Sequence, residues 1–462
     1  MPHRASVTNQ QRRNFIVKLQ ATGRLASAQQ AAATVGLAGS FRVPGDKSIS
    51  HRSIMFGALA EGDTEVSGFL EGADALATLA AFEAMGIVIE RGRPGQLCVH
   101  GNGMHGLSAP RAALNLGNSG TSMRLLAGLL AGQSFDATLI GDVSLSGRPM
   151  NRVAMPLREM GANIETAAQG RPPLHIHGGQ ALHGIDYVMP VASAQVKSCL
   201  LLAGLFASGR TRVTEPAPTR DHTERMLQGF GYAVERDGAS ASVVGGGKLR
   251  ATPIDIPADI SSAAFFMVAA SITPGSELVL QHVGINPTRT GVLDILQLMG
   301  ADIQLGGHRD VGGEPVADIT VRSAPLRGIA IPPELVPLAI DEFPVLFIAA
   351  ACAEGTTVLS GAEELRVKES DRIQAMVDGL QALGVNVQGT ADGAVIEGGA
   401  IGAGQDVVAI NCHHDHRIAM AFAIASARAQ CSIEVDDCDN IVTSFPNFAE
   451  LANNVGMDLK LD

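Results

Sequence analysis

The segment Gly45-Asp46-Lys47-Ser48-Ile49-Ser50-His51-Arg52 holds an ammonium, a guanidinium and two hydroxyls in one short stretch. It follows the strand-like Phe41-Arg42-Val43-Pro44 and precedes the apolar run Ile54-Met55-Phe56-Gly57-Ala58-Leu59-Ala60. A strand, a glycine turn and a polar helix start leave free backbone N–H groups at the positive end of a helix dipole, which suits an anion. Lys47 and Arg52 add full charges, and Ser48 and Ser50 add hydroxyl donors. A capped helix with solvated basic residues would read the same over this segment alone.

Comparable groups recur along the chain. Asn118-Ser119-Gly120-Thr121 is a tight polar turn with Arg124 behind it, and Gly120 would let a ligand approach the backbone. Ser146-Gly147-Arg148-Pro149 presents Arg148 on a turn. Further on come Ser193-Ala194-Gln195 with Lys197, then Thr219-Arg220-Asp221-His222, Asp341-Glu342, Leu365-Arg366-Val367-Lys368-Glu369-Ser370-Asp371-Arg372 and His413-His414-Asp415-His416-Arg417. Arg52, Arg148, Arg220, Arg372, Arg417, Lys47 and Lys368 could bind phosphate and carboxylate oxygens. Asp341, Glu342, Glu369 and His416 could move protons. His413, His414 and His416 invite a zinc reading, but no fourth ligand sits at usual spacing and Arg417 would repel a cation. Arg124 and Lys197 could equally pair with neighbours along a helix, and Asp371 reads as the neutraliser of an arginine.

The elements that must position these groups repeat six times from residue 40 onward. A polar turn opens an apolar helix that stops near a small residue. The spacing predicts helices over Lys47–Gly62, Asn118–Gly132, Ser193–Gly209, Asp259–Gly275, Asp341–Gly355 and Asp415–Gln430. A second helix follows each, with endings such as Ala84-Met85-Gly86 and Leu298-Met299-Gly300 that fit a left-handed C-cap before a strand. A unit of about 70 residues exceeds the roughly 20–50 of solenoid repeats, so two domains of three units each are expected. The first helices are apolar nearly all round and belong inside, with their polar N-termini converging on one face.

The 462 residues suffice for two or three domains with full cores. Apolar residues make up 46% and charged residues 17%, which excludes a disordered chain. No apolar run is long enough to span a bilayer. Six cysteines (98, 199, 352, 412, 431 and 438) form no CxxC pair and read as core thiols of a reducing cytoplasm. A net charge of −12 argues against nucleic acid as a partner. It also requires any anionic substrate to find a strongly local positive site. Residues 1–38 lack acidic side chains and carry Arg4, Arg12, Arg13, Lys18 and Arg24, which reads as an N-terminal extension outside the fold.

Five motifs in order carry a family resemblance. Gly45–Arg52, Leu116-Gly117-Asn118-Ser119-Gly120-Thr121, Arg148-Pro149-Met150, Leu365–Arg372 and Asp415-His416-Arg417-Ile418-Ala419-Met420 resemble the 5-enolpyruvylshikimate-3-phosphate synthase family from about residue 40 to the C-terminus. The resemblance implies an α/β fold of two domains, each of three βαβαββ units with buried helices, an inside-out α/β barrel. It places crossovers near Asp46 and Pro257–Asp259, giving domains 39–46 with 258–462, and 47–257. The implied reaction moves the enolpyruvyl group of phosphoenolpyruvate onto the 5-hydroxyl of shikimate-3-phosphate. By position, Lys47, Ser48, Arg52, Ser193, Ala194, Gln195, Arg220, Asp341 and Lys368 would hold shikimate-3-phosphate. Lys47, Gly120, Arg148, Gln195, Arg372 and Arg417 would hold phosphoenolpyruvate. Asp341 would accept the hydroxyl proton, and Glu369 would protonate the methylene carbon, a task shared with Lys47. The resemblance further implies a cytoplasmic monomer with no metal, cofactor, membrane or nucleic-acid partner.

Within the family, Thr443-Ser444-Phe445-Pro446 lacks the lysine of one branch, and Arg220 replaces its tyrosine. Both features resemble the bacterial, glyphosate-tolerant branch, from which Gly120 departs where alanine is frequent. A transferase acting on UDP-N-acetylglucosamine would carry a reactive cysteine before Arg148-Pro149, and none of the six is there. A non-catalytic anion-binding protein of the same fold would be favoured by loss of Asp341, Glu369 or Lys47, and all three are present.

Overall fold

The computed structural model describes residues 18–23 and 36–461. Six buried helices start at the polar turns: Lys47–Leu59, Gly120–Ala131, Ala194–Gly204, Ile260–Ile272, Phe343–Cys352 and His416–Ala425. Five are capped by a side chain. Asp46 accepts from the Ile49 amide at 2.9 Å, Ser119 from Ser122 at 3.2 Å, Ser193 from Val196 at 3.4 Å, Asp259 from Ser261 at 2.9 Å and Asp415 from Arg417 at 3.0 Å. Such a cap satisfies an orphan N–H and is worth about 1 kcal/mol. Helix Phe343–Cys352 has no side-chain cap and carries Pro344 in its first turn, so the Asp341 carboxylate is left for other partners. The helices end before the small residues expected to stop them, at Leu59 instead of Gly62 and Ala425 instead of Gln430, because a strand or tight turn comes first.

The second helices end at Ala84, Glu159, Gly229, Leu298, Ala382 and Asn454. Two residues beyond each lies a glycine, at 86, 161, 231, 300, 384 and 456, with φ between 78° and 104°. A Cβ is disfavoured in that conformation, which is why the ending repeats in the sequence.

Six separate sheets cover the helices, and none closes on itself. Those built around Ala60–Ser67, Ala137–Ile140 and Arg210–Thr214 belong to the N-terminal half; those around Glu277–Gly284, Thr356–Leu359 and Ser432–Asp436 belong to the C-terminal half. Two apolar cores result. In one, helix Ile260–Ile272 is buried at every position and packs on Phe343–Cys352 and His416–Ala425. In the other, Gly120–Ala131 crosses Ala194–Gly204 so closely that a Cβ on Gly128 would lie 2.1 Å from the Cys199 carbonyl oxygen.

The chain passes twice between the cores. Val43 and Ala258 belong to one, Ile49 and Ile256 to the other. The two passages pair with each other: the Asp46 amide donates to the Pro257 carbonyl at 2.8 Å, and Asp259 to Pro44 at 2.9 Å. Buried Arg289 joins their caps, reaching Asp46 at 2.5 Å and Asp259 at 2.9 Å.

The N-terminal extension needs correction where it is described. Lys18–Ala21 forms a strand between Ser432–Asp436 and Leu459–Leu461, with Leu19 and Ala21 buried. Leu37 is also buried, and Ala38–Phe41 pairs in parallel with Glu277–Gly284. The acid-free composition concealed a short alternating strand. The rest of that stretch, 1–17 and 24–35, lies outside the described residues.

Candidate active site

The polar helix starts face one another where the halves meet. Asp341 is the most heavily coordinated carboxylate there. It contacts Arg220 of the opposite half directly, with Arg372 at 3.4 Å and Lys368 at 3.6 Å. Arg417 donates to its backbone carbonyl at 2.7 Å. Burial alone would raise the Asp341 carboxyl, but Arg220, Lys368, Arg417 and Arg372 hold it well below the usual range. Glu369 sits between Arg372 at 2.6 Å and Arg148 at 3.4 Å. Burial pushes it upward as well, and Arg372, Arg148 and Lys47 hold it well below its ordinary value. Arg372 therefore touches both acids and is itself anchored by Asp415 at 2.8 Å.

A cavity of about 520 Å³ opens beside Asp341. Ser193, Ala194, Gln195, Arg220 and Lys368 line it with Asp341. Hydroxyl, amide, guanidinium and ammonium groups thus meet around Asp341, a set suited to a phosphorylated polyol, while Glu334, Glu363 and Glu364 also line the cavity. A cavity of about 600 Å³ lies elsewhere, lined by Glu65, Glu90 and Asp255 with Arg91. None of the residues at the helix starts lines it.

Gly120 begins its helix beside two guanidinium groups. A Cβ there would lie 2.9 Å from Arg124 Nη1 and 3.2 Å from Arg148 Nη1. Burial, with Arg148 and Arg152 nearby, pulls the Arg124 guanidinium down to about 10. Gly120, Arg148, Glu369, Arg372, Asp341, Arg220, Lys368 and Arg417 thus form one continuous cluster drawn from both halves.

Lys47 stands beside this cluster, its ammonium 3.2 Å from Asp74 and 3.0 Å from Ser444. Arg52 is buried. It donates to the Ser48 carbonyl at 2.9 Å, Thr223 at 2.7 Å and Ser198 at 2.8 Å, so it also ties the first helix start to the third helix. Burial lowers its guanidinium to about 10, against the pull of Glu224 and Asp46.

Other candidates part company with the site. Lys197 is buried against Glu224 at 2.8 Å and Glu215 at 3.0 Å. Glu342 bonds Ser261 at the crossover. Asp371 caps its helix and pairs with Arg366 at 2.6 Å. The three histidines do not converge. His413 and His414 occupy an exposed turn with φ of 53° and 54°, whereas His416 is buried with Nε2 3.2 Å from Ser444 Oγ. Sequence reasoning missed Asp74, Asp415 and Ser444. Asp415 was legible as a helix cap beside Arg417; the contacts of Asp74 and Ser444 with Lys47 join distant segments and left no local signal.

Among the described residues no helix is long and apolar enough to cross a membrane. Residues 32–451 match the family model described as EPSP synthase (3-phosphoshikimate 1-carboxyvinyltransferase). A 3-phosphoshikimate 1-carboxyvinyltransferase of Methylococcus capsulatus is 66% identical over 423 residues, 92% of this chain and 96% of that protein. One from Alkalilimnicola ehrlichii is 66% identical over 423 residues, 92% and 94% of the two chains. The solved EPSP synthase of Acinetobacter baumannii superposes with a TM-score of 0.86 at 56% identity, covering 96% of this chain and all of that one. The enolpyruvyl transferase NikO of Streptomyces tendae shares the fold, with a TM-score of 0.77 at 16% identity over 97% and 99% of the chains.

Proposed function

Because the chain belongs to the EPSP synthase (3-phosphoshikimate 1-carboxyvinyltransferase) family, its reaction is the shikimate-pathway transfer of an enolpyruvyl group, and we propose how its residues divide that work. Phosphoenolpyruvate gives the group to the 5-hydroxyl of shikimate-3-phosphate, and phosphate leaves. Shikimate-3-phosphate occupies the cavity of Ser193, Ala194, Gln195, Arg220, Asp341 and Lys368; Lys47, Ser48 and Arg52, which are outside that lining, are assigned to it by the family motif. Phosphoenolpyruvate lies between Lys47, Gly120, Arg148, Gln195, Arg372 and Arg417. The observation that carries this division is Arg372, which touches Asp341 and Glu369 together and so sets two carboxylates on either side of one anion-binding group.

Asp341 takes the 5-hydroxyl proton as that oxygen bonds to C2 of phosphoenolpyruvate, and Glu369, with Lys47, protonates C3. The tetrahedral intermediate then loses phosphate by C–O cleavage, and C3 returns its proton. A carboxyl held as low as Glu369 cannot be the acid while its cations are unengaged. Burial is the largest influence on it and acts upward. A phosphate and a carboxylate bound to Arg148, Arg372 and Lys47 neutralise what holds it down, so the substrate itself turns Glu369 into an acid.

The domains are proposed as 47–257 and as 39–46 with 258–462, the second extended by strand Lys18–Ala21. We further propose a monomer acting in the cytoplasm. Buried thiols such as Cys199 and Cys431 suit a reducing compartment. Ser444 and Arg220 favour the glyphosate-tolerant branch, while Gly120 argues against tolerance. Asp341→Asn keeps hydrogen bonding but not proton acceptance, so turnover should fall about 10²–10⁴-fold with shikimate-3-phosphate binding little changed. Glu369→Gln should block single-turnover formation of the tetrahedral intermediate. Near-normal turnover of the first, or normal intermediate formation by the second, removes the role assigned.

A further inference from the structure

We propose that Ser444, backed by His416, is a positioning residue that sets the Lys47 ammonium for phosphoenolpyruvate only when the two halves are seated on each other; this rests on the transferase reading above. Lys47 has three N–H donors. One is directed to Asp74 of its own half at 3.2 Å and one to Ser444 of the other half at 3.0 Å. The third is left for a ligand.

Ser444 Oγ in turn lies 3.2 Å from His416 Nε2. An ammonium can only donate, so Ser444 accepts from Lys47, and with the His416 proton on Nδ1 it gives its own to Nε2. That needs a lone pair on Nε2. Burial and the nearby Lys47 charge pull His416 down to about 3, so the ring is neutral at neutral pH. The chain Lys47 to Ser444 to His416 therefore has one direction, and it places the ammonium beside Glu369.

A second observation shows how Ser444 arrives. It follows the turn Asp439–Thr443, which docks against the start of helix Ala73–Ala84. A Cβ on Gly72, just before that helix, would lie 2.4 Å from the Thr443 carbonyl oxygen. Backbone oxygen cannot yield as a side chain can, so glycine permits this close seat. With Ser444 withdrawn, Asp74 holds Lys47 alone and draws it off line. Opening the halves thus disables the ammonium and also parts Arg220 from Asp341 in the shikimate-3-phosphate cavity, whereas replacing Ser444 leaves that lining in place.

The test is a separation of kinetic constants. In Ser444→Ala the KM for phosphoenolpyruvate should rise about tenfold or more and kcat should fall, the loss of one hydrogen bond to a charged group. Affinity for shikimate-3-phosphate, measured by calorimetry, should change less than about threefold, since eight other groups hold it. Ser444→Thr keeps the hydroxyl and should recover most of the loss. Gly72→Ala, which unseats the turn, should reproduce the Ser444→Ala pattern. Unchanged kinetics in Ser444→Ala, equal weakening of both substrates, or a threonine variant no better than alanine would overturn the proposal. Wild-type protein that releases no phosphate with both substrates would instead overturn the transferase reading itself.

Discussion

Glu369 and Asp341 show how much a residue's chemistry depends on neighbours the sequence does not list. Both carboxylates were legible from type and motif, yet the cations that hold them down come from five separate segments. His51 makes the same point away from the chemistry. It is buried with Nδ1 2.8 Å from Thr78, and burial, with Lys47 and Arg52 nearby, lowers it from 6.5 to about 3. An unfolded chain binds a proton at this residue as the pH falls through 6.5, whereas the folded chain does not until about 3. Its stabilising contribution is thus complete above 6.5 and declines with acidification, by about 1.4 kcal/mol per pH unit. His51→Gln should reduce the slope of unfolding free energy against pH in that window by about one proton, measured in urea at several pH values. An unaltered slope would show that His51 titrates in the fold.

At the scale of elements, six helices and their six glycine endings were readable because each device recurs and each has a local cause. Helix ends and the Lys18–Ala21 strand were not, since the competing turn or the partner strand decides them. Lys197 illustrates a third case: its place on a helix start left ligand chemistry and a neighbour pair equally open, and it is 2% exposed between Glu224 and Glu215. Glu215 directly follows strand Arg210–Thr214 and Glu224 lies on helix His222–Gly229, so the pairs tie the lysine's helix to the next two elements. Lys197→Met leaves buried Glu224 without its countercharge and should cost about 3–5 kcal/mol. Adding Glu224→Leu should restore much of that loss in thermal or urea unfolding. A single variant as stable as the parent would mean that the pair is not what joins these elements.

For the whole molecule, a chain of net charge −12 binds two anions by gathering cations from both halves into one seam. Like charges do not keep the seam apart, because Asp341, Glu369 and Glu364 sit between Arg220, Arg148, Arg152 and Lys368. Part-exposed pairs are worth about 0–1 kcal/mol each, so a few of them do not hold two domains shut. Moving such an equilibrium from 1:99 to 99:1 takes about 5.5 kcal/mol of preferential binding, which a doubly anionic substrate bridging both halves is placed to supply. The motifs made the family legible; the Arg289 tie at the crossovers and the Lys47–Ser444 contact needed the folded chain. The most direct test is phosphate release by the purified protein. Release should require phosphoenolpyruvate and shikimate-3-phosphate together and should persist in the presence of a chelator. Release from phosphoenolpyruvate alone, none with both substrates, or activity lost to the chelator and restored by zinc would contradict the account.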